Sequence, residues 1–160
     1  MKMLYFAMVH SHIVYCLNVY SCANLTTLNP LKIKQKEAIR IVCNGGYRDH
    51  TGPLFKRLGI LPLDDLIKFS QLKFMHDFAH GKLPLSFAET WIQNRNRNPN
   101  NELRNAFNLY VPAHHLATTK RFPIFTFPNV WNNAQDIKFN PSKRVFLKFV
   151  KSAMLNAMNV

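Results

Sequence analysis

Between Pro30 and Gly81 the chain is stopped by glycine at Gly45-Gly46, Gly59 and Gly81, and between the stops apolar residues recur every three or four positions. Apolar residues at that spacing form one face of a helix, and a glycine just beyond the last of them supplies the usual C-terminal stop. The pattern therefore commits the first part of the chain to helices rather than to strands of period two. At 160 residues there is room for one domain, or a domain and a tail. An apolar share of 48% is enough for a packed core and excludes a wholly disordered chain.

The segments follow from local signals. Residues 2–20 read as a buried amphipathic helix. Residues 24–29 read as a turn with Thr26 or Thr27 as N-cap and Pro30 in the first helical turn, where its missing N–H is harmless. That helix is expected to run to Cys43, with Leu28, Leu31, Ala38, Ile39 and Val42 on its apolar face. Thr51 should cap a short helix over 53–58. The longest helix is expected from Leu61 to His80, with Asp64 and Asp65 at its positive end. Its apolar residues cover more than half the circumference, which suits a central helix. A short helix is expected over 84–91.

Composition then changes. Residues 93–108 are rich in Asn and carry Arg95, Arg97 and Arg104, a mobile-linker composition. Leu109–Val111 and Ile124–Phe127 are β-prone and predict a small hairpin. Residues 128–132 read as a turn into a short helix. A final helix should open at Asn140-Pro141-Ser142, with Val145, Phe146, Phe149, Ala153 and Ala157 as its apolar face. The expected fold is thus mainly α: a helical bundle over 1–91, an Asn/Arg-rich linker over 92–108, and a basic C-terminal subdomain over 109–160.

Charge narrows the function. Lys and Arg number 21 against 8 Asp and Glu, a formal net charge of +13. Such an excess favours a polyanionic partner, nucleic acid first and an anionic membrane second. The tail is the more basic part, with 10 basic and 2 acidic residues over 92–160. Lys32, Lys36 and Arg40 form an i, i+4, i+8 row on one helix, and Arg144, Lys148 and Lys151 form another on the last. Like charges so spaced repel, so each row has a polyanion as a natural counterpart. Arg48, and Lys120 and Arg121 beside Phe122, complete the candidate nucleic-acid contacts.

Other chemistry is poorly provided for. Five glycines, none in a phosphate-binding motif, argue against a nucleotide-binding loop. The three cysteines, Cys16, Cys22 and Cys43, read as buried thiols of a reducing compartment. His10, His12 and Cys16 have helical spacing but fall short of the four ligands of a structural zinc site, and His114-His115 has no partner pattern. Arg48-Asp49-His50 has no nucleophile motif around it and reads as a turn network. Trp91, Phe127 and Trp131 read as core anchors. No catalytic residue and no metal site is assigned. The apolar start is interrupted by His10-Ser11-His12, unlike a single apolar secretory segment. An intracellular location, nuclear or cytoplasmic, is therefore favoured over secretion.

One resemblance adds to this reading. The stretches 12–16 and 28–42, then Tyr47–Leu58, then Ile60–Asp65, and finally Val130-Trp131-Asn132, resemble in order and spacing the region that follows the polymerase core in jockey-like non-LTR retrotransposon reverse transcriptases. The likeness spans about residues 5–155, and it is carried by the ordered set rather than by any one motif. The Trp-Gly pair usual in that family after Tyr-Cys is absent near Tyr20-Ser21. The resemblance implies a C-terminal, thumb-like and post-thumb fragment of an RNA-directed DNA polymerase, without the palm that holds the catalytic Asp-Asp motif and its Mg²⁺. Asp64-Asp65, at a helix start after Pro62, does not replace that motif. The fragment itself is then a non-enzymatic, cofactor-free binder of RNA or an RNA–DNA template–primer duplex, alongside the rest of its polymerase and with no membrane partner. Two alternatives remain: a degenerate transposon remnant without function, and a small secreted or membrane-surface basic protein in which residues 1–22 act as a signal.

Overall fold

The computed structural model describes residues 1–87, 89–97, 104–113, 115–134 and 142–158. The fold is mainly α, and among the described residues no strand forms beyond one isolated bridge between Gln93 and Leu109. Helices α1 (Lys2–Tyr5) and α2 (Ser11–Val14) are joined by a π-helical turn, Phe6–His10. They are followed by α3 (Leu17–Tyr20), α4 (Leu25–Val42), α5 (Thr51–Leu58), α6 (Leu63–Ala79), α7 (Asn94–Arg97), α8 (Pro123–Asn133) and α9 (Lys143–Ala157). Packing divides the chain into two compact units, Met1–Phe69 with Lys148–Val160, and Ser70–Leu147. Composition placed its divisions elsewhere, around residues 92–108.

In the first unit, Tyr5, Val9, Ile13 and Leu17 all contribute to the core at intervals of four. A straight α-helix drifts by about 40° over four residues. The π turn takes up one wide step and brings the row back in line. The single helix expected over 2–20 is broken at Tyr15-Cys16, where Cys16 adopts left-handed φ of 50°. The break frees the Ile13 carbonyl, and the Tyr20 hydroxyl donates to it. Cys16 is exposed and Cys22 and Cys43 are half-buried, so the expectation of buried thiols fails; all three are free.

Helix α4 begins at Leu25, well before the proposed Thr caps, with Asn24 in the N-cap position. Pro30 consequently lies inside the helix. The carbonyl that loses its donor is that of Thr26, which is exposed and can be hydrated. At 18 residues α4, not the 17-residue α6, is the longest helix. Its buried Gln35 donates from Nε2 to the Tyr5 hydroxyl and to the Leu61 carbonyl, both at 3.1 Å. One amide thus ties α1, α4 and the approach to α6 together. Around it pack Tyr5, Ile39, Phe55 and Ile60 in one cluster and Ile13, Leu17, Leu61, Leu63 and Leu66 in another. Met154, Leu155 and Met158 of the chain's end close over these clusters. Fully burying an aliphatic side chain such as Ile39 stabilises by roughly 1.5–3 kcal/mol. Helix α5 starts at Thr51, which is buried, and His50 takes the cap position expected of Thr51. Gly59 (φ 64°) and Gly81 (φ 64°) take the left-handed conformation that ends α5 and α6.

The second unit is held by aromatic rings. Phe74 meets Phe87, Trp91 and Phe127 edge-on at 5.4–6.1 Å between centroids. Trp91 stacks on Phe127 at 5.9 Å and Phe146 lies against His76 at 4.6 Å. The Asp77 carboxylate accepts from Lys143 in a largely buried ion pair. Four expectations fail wholly or in part in the C-terminal half: the helix over 84–91, the hairpin, the turn at Pro128 and part of the apolar face of the last helix. The helix foreseen over 84–91 is only a 3₁₀ turn, Leu85–Phe87, among the described residues. The linker of residues 93–108 folds back on itself where described: the Asn94 and Arg95 amides donate to the carbonyls of Asn108 and Ala106. Residues 98–103 lie outside the described set. The hairpin does not form, because Ile124–Phe127 belong to α8, started by Pro123, and Leu109 pairs with Gln93 instead. Pro128 lies within α8 rather than in a turn before it. The last helix is present, although Asn140-Pro141 lie outside the described residues. Of its expected apolar face Phe146 is buried, together with Val150, whereas Val145 and Phe149 are 52% and 57% exposed and Ala153 and Ala157 are exposed as well. Ring contacts with His76 and Trp131 hold Phe146 on the buried side.

Candidate nucleic-acid interface

The first basic row is built on α4. Lys32 reaches the Asp64 carboxylate at 2.7 Å, and its side chain is 22% exposed. Arg40 is half-buried and its Nε donates to the Asp49 carbonyl at 3.0 Å. Lys36, between them, is exposed and has no acidic partner among the described residues. The row is therefore unequal: its two ends help fold the first unit and its middle faces water.

Arg40 also helps build the loop that carries Arg48. The Gly45 amide returns to the Arg40 carbonyl at 2.8 Å, and the Asp49 carboxylate accepts from the Gly46 amide at 2.7 Å. A side chain at Gly45 would begin 3.1 Å from that carboxylate, which explains the small residue. Arg57 donates to the Cys43 carbonyl at 3.4 Å. These bonds use Asp49 as a loop staple, as the turn-network reading requires, and leave Arg48 exposed.

On α9, Arg144 and Lys148 are exposed one turn apart, with Val145 and Phe149 beside them. Lys151 does not continue that face. It is half-buried, and its charge acts on His10, whose pKa is lowered first by burial and then by this lysine. Arg144 falls in the second unit and Lys148 and Lys151 in the first, on one continuous helix. Lys120 and Arg121 sit on a 3₁₀ turn, Thr119–Arg121, just before α8; Lys120 is exposed and Arg121 half-buried. Phe122 beside them is 51% exposed.

Composition signalled, without assigning a role, a further cationic element: the arginines of α7. Arg97 lies 3.8 Å above the Tyr110 ring centroid, a cation–π contact that fixes its guanidinium. Arg95 is exposed beside it.

Acid chemistry is spent on structure. Asp64 pairs with Lys32 and Asp65 lies 3.8 Å from Lys68. Burial, ahead of the Lys68 charge that opposes it, raises the Asp65 pKa. Among the described residues no group of three or more His, Cys, Asp or Glu could hold a metal ion, and no helix is long and apolar enough to cross a membrane. His114 lies outside the described residues. Comparison with protein-family models, with curated proteins and with solved structures returns no match to this chain.

Proposed function

We propose that the chain is a thumb-like and post-thumb fragment of a jockey-like non-LTR retrotransposon reverse transcriptase that grips the phosphate backbone of a template–primer, with no polymerase site of its own. The observation that carries the binding part is that, of the candidate contacts, Lys36, Arg48, Lys120, Arg144 and Lys148 are exposed and have no acidic partner among the described residues. Lysine and arginine in that state contribute charge and little to the fold. Neutralising phosphates releases condensed counterions, so binding is tight at low salt, indifferent to base sequence and steeply weakened as salt rises. The resemblance supplies the class of duplex, an RNA–DNA hybrid.

The test is retention of a hybrid duplex by the purified chain. Replacing the five exposed cations with Gln should reduce binding by at least tenfold at low salt with the helical circular dichroism unchanged. Lys32→Gln should instead lower stability with less effect on binding, since Lys32 is paired to Asp64. Binding that ignores both salt and the fivefold change contradicts the proposal.

A further inference from the structure

The second unit carries a half-open pocket of about 520 Å³ lined by Trp91, Trp131 and Phe107, with the polar side chains Gln93, Asn96 and Glu89 at its exposed side. Its size falls within the ~300–1,000 Å³ range of small-ligand sites. Three observations say what it would take. First, Phe107 is 67% exposed at this wall, an aromatic face offered to solvent. Second, Gln93, just before α7, and Asn96 on it line the pocket, whereas Arg95 and Arg97 do not, and Tyr110 holds Arg97 in place. Third, in a chain of +13 the only charged lining residue among the described residues is acidic, Glu89.

We propose that this cavity receives one unpaired base of a single-stranded nucleic acid, and that it favours a base carrying an exocyclic amine. The inference rests on the nucleic-acid reading above and narrows it to a single-strand site. The base stacks on Phe107, a contact that every base can make. The amides of Gln93 and Asn96 bond the edge of the base, and Glu89 accepts from its amine, as a carboxylate does from cytosine N4. Arg95 and Arg97 take the flanking phosphates outside the cavity. A phosphate inside would meet the Glu89 carboxylate, so the polarity of insertion is fixed with the base inward. Thymine has a carbonyl where cytosine has the amine and would face Glu89 acceptor to acceptor.

The two tryptophans of the chain both line this cavity, so intrinsic fluorescence reports on it directly. Titration of the whole chain with oligodeoxycytidine should quench that fluorescence. Oligothymidine should bind at least about fivefold more weakly, the lower end of what one discriminating base contact supplies. Phe107→Ala removes the exposed platform and should weaken quenching by about fivefold or more. Glu89→Gln should raise binding of oligothymidine relative to oligodeoxycytidine while Phe107 stacking persists. Circular dichroism of each variant confirms the fold. Equal quenching by the two oligonucleotides, with no effect of Phe107→Ala, overturns the proposal. So does retention of the hybrid duplex with no quenching at all, a result that leaves backbone binding standing and removes the base site. Loss of both kinds of binding would defeat the two readings together.

Discussion

The two units are built from different materials. The first packs mainly aliphatic side chains, with the rings of Tyr5 and Phe55 among them, around one buried amide, Gln35, and places its unpaired cations outside. The second packs aromatic rings, carried by α6, α8 and α9 and by the irregular segment that holds Phe87 and Trp91, and leaves a half-open pocket beside them. Aliphatic stripes on helices specify their partners by period. Rings specify theirs by the edge and face geometry of each pair, which has no period in the sequence. The difference gives each unit its own weak point, and several substitutions can break or sharpen it.

The largest effect should come from the ring network. Phe146→Ala empties a fully buried site between His76 and Trp131 and should cost about 3–5 kcal/mol. Ile39→Ala in the first unit should cost about 2–5 kcal/mol. Urea unfolding followed by tryptophan fluorescence, which reads only the second unit, and by circular dichroism, which reads both, measures each. A cost below about 1 kcal/mol for Phe146→Ala would show that the rings do not hold the second unit.

Next comes the buried amide. Gln35→Leu leaves the Leu61 carbonyl and the Tyr5 hydroxyl without this donor, at a cost of about 1–3 kcal/mol in the urea midpoint. If the variant is as stable as the parent, the amide is not the lock of the first unit.

The pH dependence should also separate the sides of the neutral range. Burial lowers the His10 pKa below its ordinary 6.5, so the folded state releases a proton that the unfolded state keeps. The stabilising contribution is present above pH 6.5 and is lost as pH falls through the lowered value. Burial raises the Tyr5 and Tyr20 pKa values above 10.0, so their contribution is present below that pH and lost as pH rises beyond it. Midpoints measured across pH should fall at both ends, and His10→Gln should flatten the acid side. An unchanged acid limb would place its origin elsewhere. The smallest effect belongs to the surface: Glu37→Gln breaks the exposed i, i+3 pair with Lys34 and should change stability by less than about 0.5 kcal/mol.

What could be read from the sequence follows the same division. Helices α4 to α6 were legible because glycine stops and apolar spacing agreed. Their starts were less so: Pro30 sits inside α4 because an exposed carbonyl can be hydrated, which no local rule anticipates. The hairpin expected at Ile124–Phe127 failed because Pro123 starts a helix whose Phe127 stacks on Trp91, a tertiary contact that outweighs β propensity. The face of α9 was right at Phe146 but drawn too wide, because Phe149 is equally apolar and only the rings that Phe146 meets distinguish the two. Of the candidate contacts, the sequence supplied charge but not occupancy. Lys32 and Arg40 bind acceptors within the fold, whereas Lys36, Arg48, Lys120, Arg144 and Lys148 remain exposed. The cavity was not legible at all, since Trp91, Phe107 and Trp131 approach one another only through the folded-back segment around α7.

The claim that those exposed cations grip a phosphate backbone is tested most directly by the salt dependence of hybrid-duplex binding. Five phosphate contacts predict that log K falls with log salt at a slope of about −4.5, and that the five-Gln variant loses most of that slope. A flat dependence in the parent chain, or an unchanged slope in the variant, would contradict the account.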